Sequence, residues 1–255
     1  MPLGSIYFIL GLLIGSFLNV VIYRVPKEMS IVKPRSSCGN CGHMIAAWEN
    51  IPIVSYLILR GKCSQCGTAI SLRYPLVELL TGLVFYQTYY FYQSNLASVT
   101  LLASYLAAVI AITFIDLEHY IIPNGLLIFM LIPVSGLIYL YEGRWLVALI
   151  GGLSLGAGFY LIRLIGNIVF KKESMGMGDV KYAILIGLLL GWKVGLVAVA
   201  ISFVSASLYA LALTPFKKIK MGMQVPFGPF MSLGIYGGVF WGTDILNWYM
   251  GYLFR

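Results

Sequence analysis

Acidic residues are scarce in this chain, and so is charge of any kind. Nine Asp or Glu and two His occur among 255 residues, and charged side chains make up 10% of the total, whereas a soluble domain carries about 25%. That shortage excludes a soluble globular protein. Also missing are a basic stretch ahead of the first apolar run, Leu3 to Tyr23, and an evident processing site behind it. The run is therefore expected to stay as a first membrane span rather than leave as a signal peptide. No GxGxxG-type loop occurs, which excludes a nucleotide crevice of the Rossmann kind. Cysteine is absent outside residues 38–66.

What fills the chain instead is apolar: 60% of residues are hydrophobic and the mean hydropathy is +0.90. A helix needs about 20 apolar residues to cross about 30 Å of hydrocarbon. Runs of that character fall at 3–23, 74–92, 97–115, 125–141, 145–165, 180–191, 194–214 and 228–250. The expected fold is an all-α polytopic membrane protein of about eight transmembrane helices in a lipid bilayer. Gly11 and Gly15 form a GxxxG on the first run, a spacing that lets helices pack closely. The sixth run is too short to cross unaided, so Gly176 to Asp179 is expected below the membrane surface, within protein or a wet cavity.

The net charge of +8 is read as a topology marker, because Lys and Arg gather in cytoplasmic loops. The long polar insert 24–73 holds seven of them, Arg24, Lys27, Lys33, Arg35, Arg60, Lys62 and Arg73. Placing it inside and alternating outward also puts Arg163, Lys171, Lys172, Lys181, Lys217, Lys218 and Lys220 inside, leaving Arg144, Lys193 and Arg255 outside. Both termini then face outward. Nucleic acid is not an expected partner, since the insert offers few aromatic residues for stacking, Trp48 and Tyr56 among them.

All four cysteines lie in that insert as Cys38-Gly-Asn-Cys41 and Cys63-Ser-Gln-Cys66, with 21 residues between the two motifs. Two such knuckles supply the closed tetrahedral four-cysteine set that structural zinc prefers. Two disulfides are the competing reading, at odds with a reducing cytoplasm. Gly42 and Gly67, each following a second cysteine, suit a tight turn, and His43 is read as a neighbour of the site rather than a ligand.

Carboxylates inside spans are expensive and mark function. Glu28, Glu49, Glu142 and Glu173 read as solvated charge, and Asp244 as interfacial. Asp116, at the end of the third run in Phe114-Ile115-Asp116-Leu117-Glu118-His119, and Asp179, in Gly176-Met177-Gly178-Asp179-Val180-Lys181, fall on the same side. Two such carboxyls brought together cannot both ionise in a low dielectric and share one proton, which makes an acid and a base. Taken singly, each also reads as a helix-end residue, Asp179 as an N-cap.

At these residues the chain resembles the bacterial type IV prepilin peptidase family of GxGD membrane aspartic peptidases. The likeness runs through Gly15-Ser16-Phe17-Leu18-Asn19-Val20-Val21-Ile22-Tyr23-Arg24, the paired CxxC knuckles, Arg73-Tyr74-Pro75-Leu76-Val77-Glu78, the Asp116 segment, Gly176 to Lys181, and Val225-Pro226-Phe227-Gly228-Pro229-Phe230. The resemblance implies removal of the basic leader from prepilins and pseudopilins at the cytoplasmic face of the inner membrane, with Asp116 and Asp179 catalytic and Cys38, Cys41, Cys63 and Cys66 holding zinc. It also implies N-methylation of the new N-terminal residue with S-adenosylmethionine, and the cysteine insert favours this two-function form. Glu78 is the acid best situated to hold a substrate ammonium or a cofactor group, and a helix N-terminal charge would explain it equally. The expected division is a first span at 1–23, a zinc-bearing loop with methyltransferase character at 24–73, and a peptidase core at 74–255. A peptidase without methyl transfer, and a transporter using the aspartates as ion sites, are the rival functions. The transporter predicts hydropathy symmetry between halves, which the single long insert does not supply.

Overall fold

The computed structural model describes residues 2–213 and 225–253. Lys217, Lys218, Lys220 and Arg255, used in the charge pattern, and residue 214 of the seventh run lie outside them. Among the described residues eight α-helices follow in order: α1 (Pro2–Arg24), α2 (Val54–Ile58), α3 (Arg73–Tyr92), α4 (Leu96–His119), α5 (Asn124–Leu140), α6 (Arg144–Phe170), α7 (Met177–Leu213) and α8 (Gly228–Leu253). Among the described residues no strand forms; Ser37 with Met44 and Lys62 with Ala69 make isolated bridges. Helix suits this composition because a backbone in hydrocarbon must satisfy its own hydrogen bonds. Among the described residues four helices, α1, α4, α6 and α7, are long and apolar enough to cross a membrane, and α5 is a shorter apolar helix.

Two ends differ most from the apolar pattern. α4 continues to His119, so Asp116 lies inside the helix with a further turn beyond it, before Tyr120 at φ 57° breaks the repeat. α6 runs past residue 165 to Phe170. Its polar side chains hold the turn that follows: Asn167 Oδ1 accepts the Ser174 N–H at 2.8 Å, and Arg163 Nε donates to Met175 O at 3.0 Å.

Within α7 the backbone leaves helical geometry at Gly191, at φ 72° and ψ 175°. The chain reverses there. Residues eight apart on a straight helix are separated by about 12 Å, yet a Cβ added to Gly195 would lie 3.9 Å from Gly187 Cα. The arms 177–190 and 192–213 therefore pack side by side, as the two separate apolar runs suggested. The left-handed φ at the reversal is one that glycine adopts freely.

The molecule divides into two compact units, Met1–Ala111 and Ile112–Arg255, with the division inside α4. In the first, α1 packs on α3 through Gly11 and Gly15. A Cβ at Gly15 would meet Glu78 Cα at 2.7 Å, so the GxxxG does bring two backbones together. In the second, Gly151 of α6 and Gly187 of α7 meet backbone to backbone, and Phe159, Phe203 and Phe227 form a ring cluster.

Candidate active site and zinc knuckles

In the second unit, Asp116 is 5% exposed and its Oδ2 accepts the Gly228 backbone N–H at 2.9 Å. Asp179 is half-buried in the first turn of α7. It is the third helical residue rather than the N-cap, and its carboxylate reaches back to the Gly176 N–H, as the third residue of a capping box does. Asp116 lies near enough to Asp179 to act on it electrostatically. Two such groups in one partly dry site can divide the work of acid and base.

Gly228, the first residue of α8, was not legible as part of this site. A Cβ there would stand 2.7 Å from Asp116 Oδ2. Its carbonyl accepts the Ser232 hydroxyl at 2.9 Å, and Ser232 pairs at 3.0 Å with the phenol of Tyr182, which is fully buried one turn after Asp179. A buried chain of hydrogen bonds thus fixes the Gly228 peptide against Asp116. On the rim, Lys181 Nζ donates to Asn124 Oδ1 at 2.8 Å. Glu118 and His119 are exposed.

In the first unit, the four cysteines converge. Their sulfurs lie within 4.8 Å of one another, with Cys38 to Cys66 at 3.8 Å and Cys41 to Cys63 at 4.0 Å. Sulfurs placed tetrahedrally around zinc at about 2.3 Å stand about 3.8 Å apart. All four are free thiols. The knuckles repeat one geometry: the Gly42 N–H bonds Cys38 O and the Gly67 N–H bonds Cys63 O, with both glycines at positive φ, 73° and 70°. The cluster is electrostatically divided. Cys66 is pulled down to about 5 by the Thr68 hydroxyl and N–H. Cys41, despite the His43 N–H that favours its thiolate, is pushed up to about 11 by desolvation and the neighbouring sulfurs. Four sulfurs at this spacing fit zinc, which binds cysteines as thiolates and would favour the charged form of all four.

His43 stands outside the cluster, 3.3 Å from Glu49. Glu49 is not the solvated charge its loop position suggested: its side chain is 6% exposed and accepts the Ala46 N–H at 2.7 Å. The Ser64 hydroxyl, that N–H and His43 together hold its carboxyl below the usual range.

Beside the knuckles the same unit holds a cavity of about 630 Å³, lined among others by Ser16, Asn19, Arg24, Cys38, Tyr74 and Glu78. That volume suits a small-molecule site. Glu78 is 8% exposed. It sits beyond the first turn of α3, which contains no acid, so a helix N-terminal charge does not account for it. Its Oε2 accepts the Ile53 N–H at 2.7 Å, and the Ser16 hydroxyl also bonds it. Ile53 holds φ 61° and ψ −49°, a conformation a β-branched residue adopts at a cost of about 1–3 kcal/mol. The strain turns its N–H onto the carboxylate.

A protein of Stutzerimonas stutzeri named prepilin leader peptidase/N-methyltransferase is 34% identical over 271 residues, which cover 95% of this chain and 92% of that protein. Proteins of the same name from Pseudomonas aeruginosa and Legionella pneumophila are 34% and 32% identical, covering 95% and 96% of this chain and 91% and 95% of theirs. The model of the type IV leader peptidase family matches residues 103–211. The chain belongs to this family. The bacterial peptidase A24 N-terminal domain matches residues 9–92. In this family member, the N-terminal match contains the knuckles, Asn19 and Glu78, and the leader peptidase match contains Asp116 and Asp179. Gly228 and Ser232 lie beyond both. No solved structure matches the chain.

Proposed function

We propose that this chain is a two-function enzyme of the bacterial inner membrane: it removes the leader from prepilins or pseudopilins with Asp116 and Asp179, and methylates the amine so exposed. What supports the peptidase reading is that Asp116, pinned by the Gly228 N–H at 2.9 Å, lies near enough to Asp179 to act on it electrostatically. One carboxyl, ionised, takes a proton from water, and the oxygen attacks the scissile carbonyl carbon. The other, protonated, donates to the carbonyl oxygen, then the C–N bond breaks and the leaving nitrogen takes a proton. Gly176 puts no side chain beside the Asp179 carboxylate, where a substrate backbone would pass, whereas Gly178 packs against Ile122.

On this reading the chain crosses the bilayer eight times, with the two arms of α7 counted separately, and the basic insert and both aspartates face the cytoplasm. Residues 1–23 are the first span, 24–73 the zinc-bearing methyltransferase part and 74–255 the peptidase core. Zinc on Cys38, Cys41, Cys63 and Cys66 is structural, because four thiolates leave no open position. S-adenosylmethionine supplies an electrophilic methyl group when bound in the cavity beside Glu78. Glu78 holds a cationic group there.

Mass spectrometry of a prepilin peptide incubated with purified enzyme, with and without S-adenosylmethionine, tests both activities. Glu78→Gln lowers methyl transfer to a pre-cleaved peptide at least about tenfold and spares leader cleavage; undiminished methylation removes Glu78 from the site. No methylation by the parent enzyme reduces the chain to a peptidase. Gly228→Ala, whose Cβ would displace the Asp116 carboxylate, lowers cleavage at least about tenfold and leaves methylation of the pre-cleaved peptide intact. Equal loss of both activities would make Gly228 a residue of folding alone.

A further inference from the structure

Residues 51–59 of the basic insert carry no charged side chain, and the helix they form, α2, has its polarity turned inside out. Val54, Leu57 and Ile58 follow helical spacing along one face and are 48%, 69% and 66% exposed. The opposite face holds the polar atoms. Ser55 is buried there and its hydroxyl donates to Ile51 O at 2.8 Å, while the Tyr56 hydroxyl donates to Ile70 O at 3.3 Å. Ser55, Tyr56 and Leu59 line the cavity of about 630 Å³. A helix bathed in water turns its polar side outward. An apolar face left uncovered is presented to a protein partner or to lipid.

The position of α2 along the spans decides between the two. The Ile53 N–H, immediately ahead of α2, and the Ser16 hydroxyl bond the same Glu78 carboxylate. Ser16 lies eight residues before Arg24, about 12 Å along the axis of α1 from its end. That helix is long and apolar enough to cross a membrane, and its exposed side chains around Ser16 include Leu13 and Phe17. The start of α2 is therefore level with lipid-facing residues of a span, below the end where α1 runs out. The flanks agree with this depth. Trp48 ahead of α2 and Arg60 and Lys62 behind it are exposed, and these residue types settle at the headgroup level. Seven Lys or Arg against Glu28 and Glu49 give the insert the excess positive charge that anionic headgroups attract.

We propose that α2 is an interfacial anchor lying in the leaflet on the insert's side of the bilayer, with Val54, Leu57 and Ile58 among the acyl chains. Its inner face then holds the cavity at the bilayer boundary instead of out in the aqueous phase. Building on the methyl-transfer reading above, this puts the transfer site at the depth where a substrate whose apolar helix is still in the membrane carries its new amine. The helix need not be drawn out of the lipid before it is methylated.

The unaltered full-length enzyme is reconstituted in vesicles of phosphatidylethanolamine and phosphatidylglycerol that carry a diazirine in the acyl chain, illuminated, and mapped by peptide mass spectrometry. Residues 54–58 take lipid adducts at a yield at least about tenfold above residues 62–68 of the second knuckle, and within about threefold of the exposed face of α1. Labelling no higher than at the knuckle overturns the proposal, whether water or a second copy of the chain covers the face. In a second measurement, Leu57→Gln combined with Ile58→Gln lowers methyl transfer at least about threefold to a peptide that keeps its apolar helix in the vesicle. Transfer to a short water-soluble peptide with the same N-terminus is unchanged. An equal loss with both peptides, or a loss with neither, overturns the anchoring role. If the parent methylates nothing, the methyl-transfer reading falls, and the lipid labelling still decides where α2 lies.

Discussion

Asp116→Asn and Asp179→Asn each abolish leader cleavage, by at least about a thousandfold, while the protein remains folded in membranes. The reason is stoichiometric. On the proposed mechanism the pair works with one proton and one negative charge, and an amide in either place supplies neither the base nor the exchangeable proton. The geometry adds a second reason at Asp116, whose Oδ2 accepts the Gly228 N–H at 2.9 Å. An amide turned the other way would set its NH2 group against that N–H, donor facing donor. Glu118→Ala and His119→Ala, altering exposed side chains beyond Asp116 on the same helix, retain most activity. Cleavage of a prepilin peptide, followed by mass spectrometry, reads all four variants. Substantial turnover by either aspartate variant would end the dyad assignment.

Removing a zinc ligand disturbs a different part of the molecule. Purified protein carries one zinc per chain, and Cys38→Ser or Cys66→Ser lowers metal content at least about tenfold and opens the loop between α1 and α3 to protease. The insert has few other means of holding itself together. Its secondary structure among the described residues amounts to one short helix, two single turns and two isolated bridges, so binding energy of about 10–16 kcal/mol at such a site is folding energy. Methyl transfer falls with it, because Cys38 and Cys63 line the cavity, and leader cleavage survives in part. Metal analysis and limited proteolysis decide the matter. A stoichiometric disulfide without metal, in protein kept reducing, would overturn the zinc reading and the cytoplasmic orientation of the insert together.

The features legible in the sequence are those with a fixed spacing or a heavy desolvation cost. Paired CxxC motifs announce converging sulfurs because short knuckles leave the thiols little freedom. Carboxylates at the ends of apolar runs stand out because burying them is expensive. What escapes reading depends on backbone atoms and on tertiary neighbours. Gly228 contributes a peptide N–H that every non-proline residue possesses, and only the entry of α8 beside Asp116 makes it part of the site. Ile53 reads as an ordinary apolar residue, yet its positive φ aims an N–H at Glu78. Glu49 sits in a polar loop, yet its side chain is largely covered, since Ala46, His43 and Ser64 bond to its carboxylate. Helix ends depart from the apolar pattern where polar side chains such as Asn167 carry α6 beyond its apolar stretch.

The reversal at Gly191 has a bearing on the lipid. The arm 177–190 is about 21 Å long, against a hydrocarbon thickness of about 30 Å. Where this arm meets the bilayer, hydrophobic mismatch thins the membrane or draws headgroups and water inward. On the proposed reading, that inward-drawn water is what reaches Asp179, near the beginning of the arm, so the shortness of the arm and the need for a hydrolytic water are met by one feature.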